Sequence, residues 1–377
     1  MNKETFCSLP FTEIFLGPDG HIKTCCSAST SLGSLHENTI DEILNSKEAI
    51  SIRQRILNGK WHDSCKQCKR QESQNARSER VGDLKAFQNE NGSVNSSFFK
   101  LTRLDLRWSN TCNLSCTYCY EYFSSKWANL KGLKVNTIKD ANENSLFLMI
   151  EKNIDSIENI LMLGGEPLLQ KQNLRLVNTI TDDRSFYILS NLAVPLDTNA
   201  TAQILLNDRM SAWGVSFETV GLRYEYVRRG ASWELFVKNI DYIQEKTNGM
   251  LDAHSLYSIY SAFNLVEFYE FIYEKNIKTV LWNLLESTGE NSNASVFKLS
   301  SELKQRAIEE IERCEQLFPN APGIDSLLGF KKNLKLHTTE TTSSFVKEID
   351  VLENKYLKSE TLKFSKLWPI EWTLLNQ

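Results

Sequence analysis

Cys112, Cys116 and Cys119 form a C-x3-C-x2-C run within Cys112-Asn113-Leu114-Ser115-Cys116-Thr117-Tyr118-Cys119. Three thiolates on so short a loop can hold three corners of a [4Fe–4S] cube, and the run supplies no fourth. A structural zinc site wants four closed ligands, so the deficit leaves one iron open to bind something else. Five more cysteines lie in the N-terminal hundred residues: Cys7, Cys25 in Gly20-x4-Cys25, the adjacent Cys26, and the Cys65-x2-Cys68 knuckle. Four such thiolates suit either a structural zinc or a fully ligated [4Fe–4S] cluster, and spacing does not choose between them. A third stretch with chemical promise is Gly164-Gly165-Glu166-Pro167. Its glycines let a ligand approach the backbone closely, and its carboxylate suits an ammonium group.

The surrounding pattern places these residues at strand ends. Leu101 to Trp108 alternates apolar and polar residues as a strand does, and Ser109-Asn110 ends it with turn chemistry. Asn159 to Leu163 is almost wholly apolar, which predicts a strand buried on both faces just before the glycine pair. Further strands are predicted at Phe186–Ser190, Ala212–Glu218, Leu251–Tyr260 and Thr279–Leu284. Helices over Leu168–Thr181, Ala200–Asn207, Trp233–Lys246 and Val266–Lys275 alternate with them, so the class is α/β with a parallel sheet. Strand C-terminal ends are where such folds keep their chemistry. Ahead of this region, Glu13–Leu16 and His21–Thr24 around Pro18-Asp19-Gly20 predict a hairpin, and Ser46–Leu57 has helical character. A polar stretch from Glu72 to about Ser97 holds a helix over Arg77–Gln88 and then a linker. The expected domains are 1–97, 98–290 and a mainly helical 291–377. Ser300 or Ser301 caps a helix in the last of these, Cys314 sits on its apolar stripe, and Trp368 and Trp372 suggest a docked tail.

The C-x3-C-x2-C run with Tyr118 before its last cysteine, followed by Gly-Gly-Glu-Pro, resembles the radical S-adenosylmethionine (SAM) superfamily. The resemblance implies a partial (β/α)6 TIM-type barrel in which Cys112, Cys116 and Cys119 hold a [4Fe–4S] cluster. Gly164, Gly165, Glu166 and Pro167 would bind the methionine end of SAM. Ser190 and Asn191 match a polar motif near the cofactor, and Ser216-Phe217-Glu218 matches a motif that contacts its ribose and amino-acid part. Arg228, favoured over Arg229 by the family's spacing, would serve the methionine carboxylate, where a guanidinium fork suits a bidentate task. The chemistry implied is reductive cleavage of SAM to a 5′-deoxyadenosyl radical that abstracts hydrogen from a substrate. An electron donor of the flavodoxin or ferredoxin kind is implied with it. The N-terminal pattern is similar to the auxiliary-cluster modules called SPASM and twitch domains, although here it precedes the barrel. That likeness favours one auxiliary [4Fe–4S] cluster over zinc, on Cys7, Cys25, Cys65 and Cys68, with Cys26 as a competing neighbour.

Composition fits this expectation. The 377 residues carry a net charge of −4, which argues against the basic face a nucleic-acid binder needs. No run approaches membrane-spanning length, and nine cysteines without an export signal point to metal ligation in a reducing cytoplasm. A peptide or protein substrate is expected. The alternatives are a small molecule such as an aminosugar, or a non-catalytic iron–sulfur or zinc scaffold or redox sensor. Tyr257 and His254 read as packing residues rather than proton donors.

Overall fold

The computed structural model describes residues 5–73, 78–81, 95–133, 138, 140–181, 184–207, 211–247, 251–285, 292–336 and 342–377. The chain divides into two units: Met1–Thr111 with Lys134–Ile188, and Cys112–Leu133 with Leu189–Gln377.

In the first unit, β1 (Glu13–Leu16) and β2 (His21–Lys23) pair antiparallel around Pro18-Asp19-Gly20. Gly20 takes φ +77°, and Asp19 Oδ1 accepts the His21 N–H at 3.2 Å, which closes the turn. A third strand, β3 (Gly33–Ser34), adds to β2 and is too short to show a period in sequence. The hairpin does not stand as a sheet of its own. β1 is buried at all four positions because it also pairs in parallel with β4 (Arg103–Leu106), Phe15 opposite Asp105 and Leu16 opposite Leu106. β5 (Asn159–Met162) and β6 (Ser185–Ser190) continue the parallel set, giving the order β3-β2-β1-β4-β5-β6. The ladder of β4 is shorter than its apolar run. Leu101 and Trp108 lie beyond it yet stay buried, and the Trp108 indole donates to Asn173 Oδ1 at 2.9 Å. Ser46 caps the helix Lys47–Leu57 by accepting the Ala49 N–H at 3.2 Å. Of the helix expected over Arg77–Gln88, only 78–81 fall within the described residues.

The second unit holds β7 (Ser211–Ser216), β8 (Leu251–Tyr257) and β9 (Thr279–Leu284), paired in parallel. Helices Trp233–Thr247 and Leu265–Glu274 follow β7 and β8, each with an apolar stripe buried. β8 ends three residues before the expected Tyr260, because the Ser258 N–H donates to Ser261 Oγ at 3.0 Å and turns the chain. Tyr257 is fully buried and stacks on Phe330 with centroids 5.4 Å apart, the packing role expected of it. Ser300 caps the helix Ser301–Leu317, on which Cys314 is fully buried. The helix Thr342–Val351 runs into a π-helical turn, Leu352–Leu357. The tail docks through Phe364 and Trp368, both buried, with centroids 4.7 Å apart. Each such side chain contributes roughly 1.5–3 kcal/mol by leaving water.

The class is therefore α/β, with parallel strands in the βα order of a partial TIM-type barrel and a helical C-terminal region. None of the nine cysteines, all among the described residues, is in a disulfide. Among the described residues no helix is long and apolar enough to cross a membrane.

Candidate active site

The cysteine loop lies in the second unit and is pinned from two sides. On one side is the helix Ser125–Leu130, whose N-cap Ser124 donates to the Leu114 carbonyl at 2.6 Å. Ser125 Oγ accepts the Cys112 N–H at 3.0 Å, and the Trp127 indole donates to the Cys116 carbonyl at 2.9 Å. On the other side is the stretch after the helix Gly221–Val227. The Ser115 N–H donates to Arg229 O at 3.0 Å and the Thr117 N–H to Val227 O at 2.8 Å, so two main-chain bonds bracket Cys116. Gly230 takes φ +98° there, and a Cβ on it would stand 3.3 Å from Asn113 O. Burial pushes the Cys116 thiol up to about 11, against the pull of Arg228. Cys119 is pushed far up by burial and then by the charges of Cys116 and Cys112.

Strand ends in this unit carry the other expected residues. Ser190 is buried, and its Oγ accepts the Leu192 N–H at 3.0 Å. Leu192 takes φ +51°, unusual for a side chain of that shape, and Asn239 holds its carbonyl at 2.8 Å. Asn191 Nδ2 donates to Asn113 Oδ1 at 3.1 Å and lies 3.8 Å from Cys112 Sγ. Ser216 is half-buried at the end of β7, two residues before Glu218. Glu218 is fully buried, accepting Arg228 Nη2 at 2.8 Å and the Tyr118 hydroxyl at 3.2 Å. Arg228 also lies over the Tyr118 ring at 5.7 Å. Burial alone would lower the Arg228 pKa, and Glu218 together with Tyr118 and Cys116 outweighs it and leaves it raised. Arg228 is thus committed to a carboxylate of its own chain. Arg229 is the contrasting neighbour. It is 5% exposed, its Nε and Nη1 are shielded from water without hydrogen-bond partners, and burial lowers its pKa. Its charge lies 5.4 Å from the Trp127 ring centroid.

In the first unit, the glycine pair closes β5 and packs on its own chain. A Cβ at Gly165 would stand 2.3 Å from Thr111 O and 2.7 Å from Asn110 O. Gly164 takes φ +117°, and its Cβ would meet Gln170 Nε2 at 2.8 Å. Gly165 is therefore required by close backbone approach and Gly164 by its positive φ, needs separate from any ligand. The Glu166 N–H donates to Thr111 O at 2.7 Å, and Thr111 precedes Cys112 in the chain. The Glu166 carboxylate is buried and caps the turn Pro167–Leu169, accepting the Leu168 N–H at 3.2 Å.

The same unit brings Cys7, Cys25, Cys65 and Cys68 to the wall of one cavity, with Trp61 and Arg80, while Cys26 is exposed. Burial raises the Cys25 thiol well above its usual value, helped by Glu13 and Cys7. Cys65 is pushed up to about 11 by burial and by Cys68. Arg80, which sequence reasoning passed over inside a polar stretch, is 5% exposed; its Nε donates to Glu72 at 2.8 Å and its Nη1 to the Phe6 carbonyl at 2.9 Å. Among the described residues, no three His, Cys, Asp or Glu side chains converge on a single metal-ion position. The residues present fit iron–sulfur groups on two counts. Four thiols share one cavity, and a shielded, unpaired guanidinium stands beside the three-cysteine loop.

Two family models agree with this reading. Residues 106–260 match the Radical SAM superfamily, and residues 7–69 match SPASM, an iron–sulfur cluster-binding domain. The chain is similar to 7-carboxy-7-deazaguanine synthase of Clostridium acetobutylicum, 28% identical over 163 residues, 41% of this chain and 64% of that protein. It is also similar to an uncharacterized protein of Methanocaldococcus jannaschii, 34% identical over 112 residues, 29% of this chain and 34% of the other. It thus spans less than two thirds of either relative. Among solved structures it is similar to anSMEcpe with bound AdoMet, with TM-score 0.42 and 16% identity over 59% of this chain and 61% of that one. The complex of anSMEcpe with AdoMet and the Kp18Cys peptide gives TM-score 0.41 and 16% identity over 56% and 59%. A Radical SAM domain implies SAM and a [4Fe–4S] cluster as cofactors, and a SPASM domain implies auxiliary iron–sulfur clusters. Residues 106–260 are thus a Radical SAM domain, preceded by a SPASM iron–sulfur module over residues 7–69.

Proposed function

We propose that this protein is a radical SAM enzyme that modifies a peptide or protein. When bound, the reduced cluster supplies one electron to the SAM sulfonium, releasing methionine and a 5′-deoxyadenosyl radical that abstracts hydrogen from the substrate. Cys112, Cys116 and Cys119 hold that cluster, and Gly164 to Pro167 with Ser190, Asn191 and Ser216 serve the cofactor. Arg228 and Glu218 serve as a fixed pair that also orients Tyr118. The observation that carries the proposal is the loop itself, whose main chain is held from both sides while none of its three cysteines is in a disulfide.

A cavity of about 270 Å³ beside Cys119 supports a peptide substrate. Its walls include Thr117, Tyr120, Trp127, Tyr356 and the carboxylate of Glu348, and its size suits one side chain of an extended peptide. The π-helical turn contributes to it, and such turns often mark functional sites. A small-molecule substrate is the second reading, favoured by the likeness to 7-carboxy-7-deazaguanine synthase. Residues 1–97 act as the auxiliary module and 98–290 as the catalytic barrel, in a reducing cytoplasm with a flavodoxin- or ferredoxin-like donor.

Anaerobic protein with filled clusters, incubated with dithionite and SAM, is expected to release 5′-deoxyadenosine. No release above background would leave the scaffold reading, and an aminocarboxypropyl fragment would move the cleaved bond. For the auxiliary site, Cys25→Ala is expected to lose about four irons per chain, one cubane, while Cys26→Ala keeps them. Iron and sulfide counts check this, and equal losses would make Cys26 a ligand.

A further inference from the structure

We propose that Arg229 is the fixed counter-cation of the cluster held by Cys112, Cys116 and Cys119, and that its charge sets the cluster's reduction potential. The inference rests on the radical SAM reading and concerns a residue that reading leaves without a task. Two facts place Arg229 at the loop. Its carbonyl accepts the Ser115 N–H at 3.0 Å, one of the two bonds that bracket Cys116. Its guanidinium lies over Trp127, whose indole holds the Cys116 carbonyl at 2.9 Å.

The charge balance singles it out. Arg228 is neutralised by Glu218 at 2.8 Å, and Arg80 beside the N-terminal thiols is neutralised by Glu72. Arg229 forms no ion pair with any described carboxylate, and its Nε and Nη1 are shielded from water without a hydrogen-bond partner. A buried cation without an anion is strongly disfavoured. A [4Fe–4S] cube on three thiolates supplies the missing anion. It carries one net negative charge when oxidised and two after accepting an electron from a low-potential one-electron donor. A fixed cation beside it favours the more negative, reduced state, so the potential rises. Arg229 acts on the cluster through its field and is a positioning residue.

Arg229→Met and Arg229→Lys test this in the full chain, reconstituted anaerobically and counted for iron. The readout is an EPR-monitored redox titration with mediators, with the N-terminal cluster as internal reference. Arg229→Met is expected to lower the reduced-to-oxidised ratio of the three-cysteine cluster about tenfold at fixed solution potential, a shift of about 59 mV for one electron. Arg229→Lys should titrate close to wild type, and the reference cluster should not move. If the Met variant does not fold, Arg229→Gln replaces it as the neutral side chain. Unchanged potential in a loaded neutral variant overturns the proposal. Weakened SAM binding at unchanged potential also overturns it and assigns Arg229 to the cofactor's carboxylate. Wild-type protein that shows no cluster signal overturns the radical SAM reading, and this inference with it.

Discussion

Alanine at Cys112, Cys116 and Cys119 together is expected to abolish 5′-deoxyadenosine formation and to halve the iron content. The count should fall from about eight irons per chain to about four, the loss of one cubane. The two cysteine sets draw on different parts of the chain. The three-cysteine loop is built on Ser124, Ser125, Trp127, Val227 and Arg229, while the N-terminal cavity uses Trp61, Arg80 and its own four thiols. Removing three side chains leaves every main-chain bond of the loop in place, so the protein should stay folded and keep its second cluster. Iron analysis with circular dichroism separates this result from collapse. Full iron retention in the triple variant would place the metal elsewhere.

Arg228→Met is expected to be the most destabilising single change at the site. Glu218 is fully buried, and its carboxylate depends on Arg228 at 2.8 Å and on the Tyr118 hydroxyl at 3.2 Å. Without the guanidinium a charge is left in the interior with one neutral donor, which costs about 3–5 kcal/mol. Replacing both partners at once, Arg228→Met with Glu218→Gln, removes the stranded charge and should recover much of that loss. Denaturant unfolding of the two single variants and the double variant measures the coupling. Additive losses would show that the pair is not an energetic unit.

How far the sequence could be read follows from which interactions are local. The cysteine run and the Gly-Gly-Glu-Pro turn were legible because their chemistry depends on near neighbours, as does the Ser300 cap. The parallel pairing of β1 with β4 was not, since a hairpin reads as self-contained and its second partner lies some ninety residues on. The glycine pair also has a packing role that the sequence does not show. A sequence cannot show that Thr111 O would stand 2.3 Å from a side chain at Gly165. Arg228 and Arg229 differ in the same way. The family's spacing favours Arg228 over Arg229, but only packing gives one a buried carboxylate and leaves the other shielded and unpaired. Asn113 and Asn239, which hold Asn191 and Leu192, carried no signal beyond being polar residues in or beside functional and apolar stretches.

The claim beneath all of this is that a three-thiolate cluster keeps one iron for SAM. Mössbauer spectra of ⁵⁷Fe-reconstituted protein, recorded with and without SAM, test it most directly. The expected result is that SAM changes the signal of a single iron of the three-cysteine cluster and leaves the four-cysteine cluster untouched. Spectra that stay identical when SAM is added would contradict it.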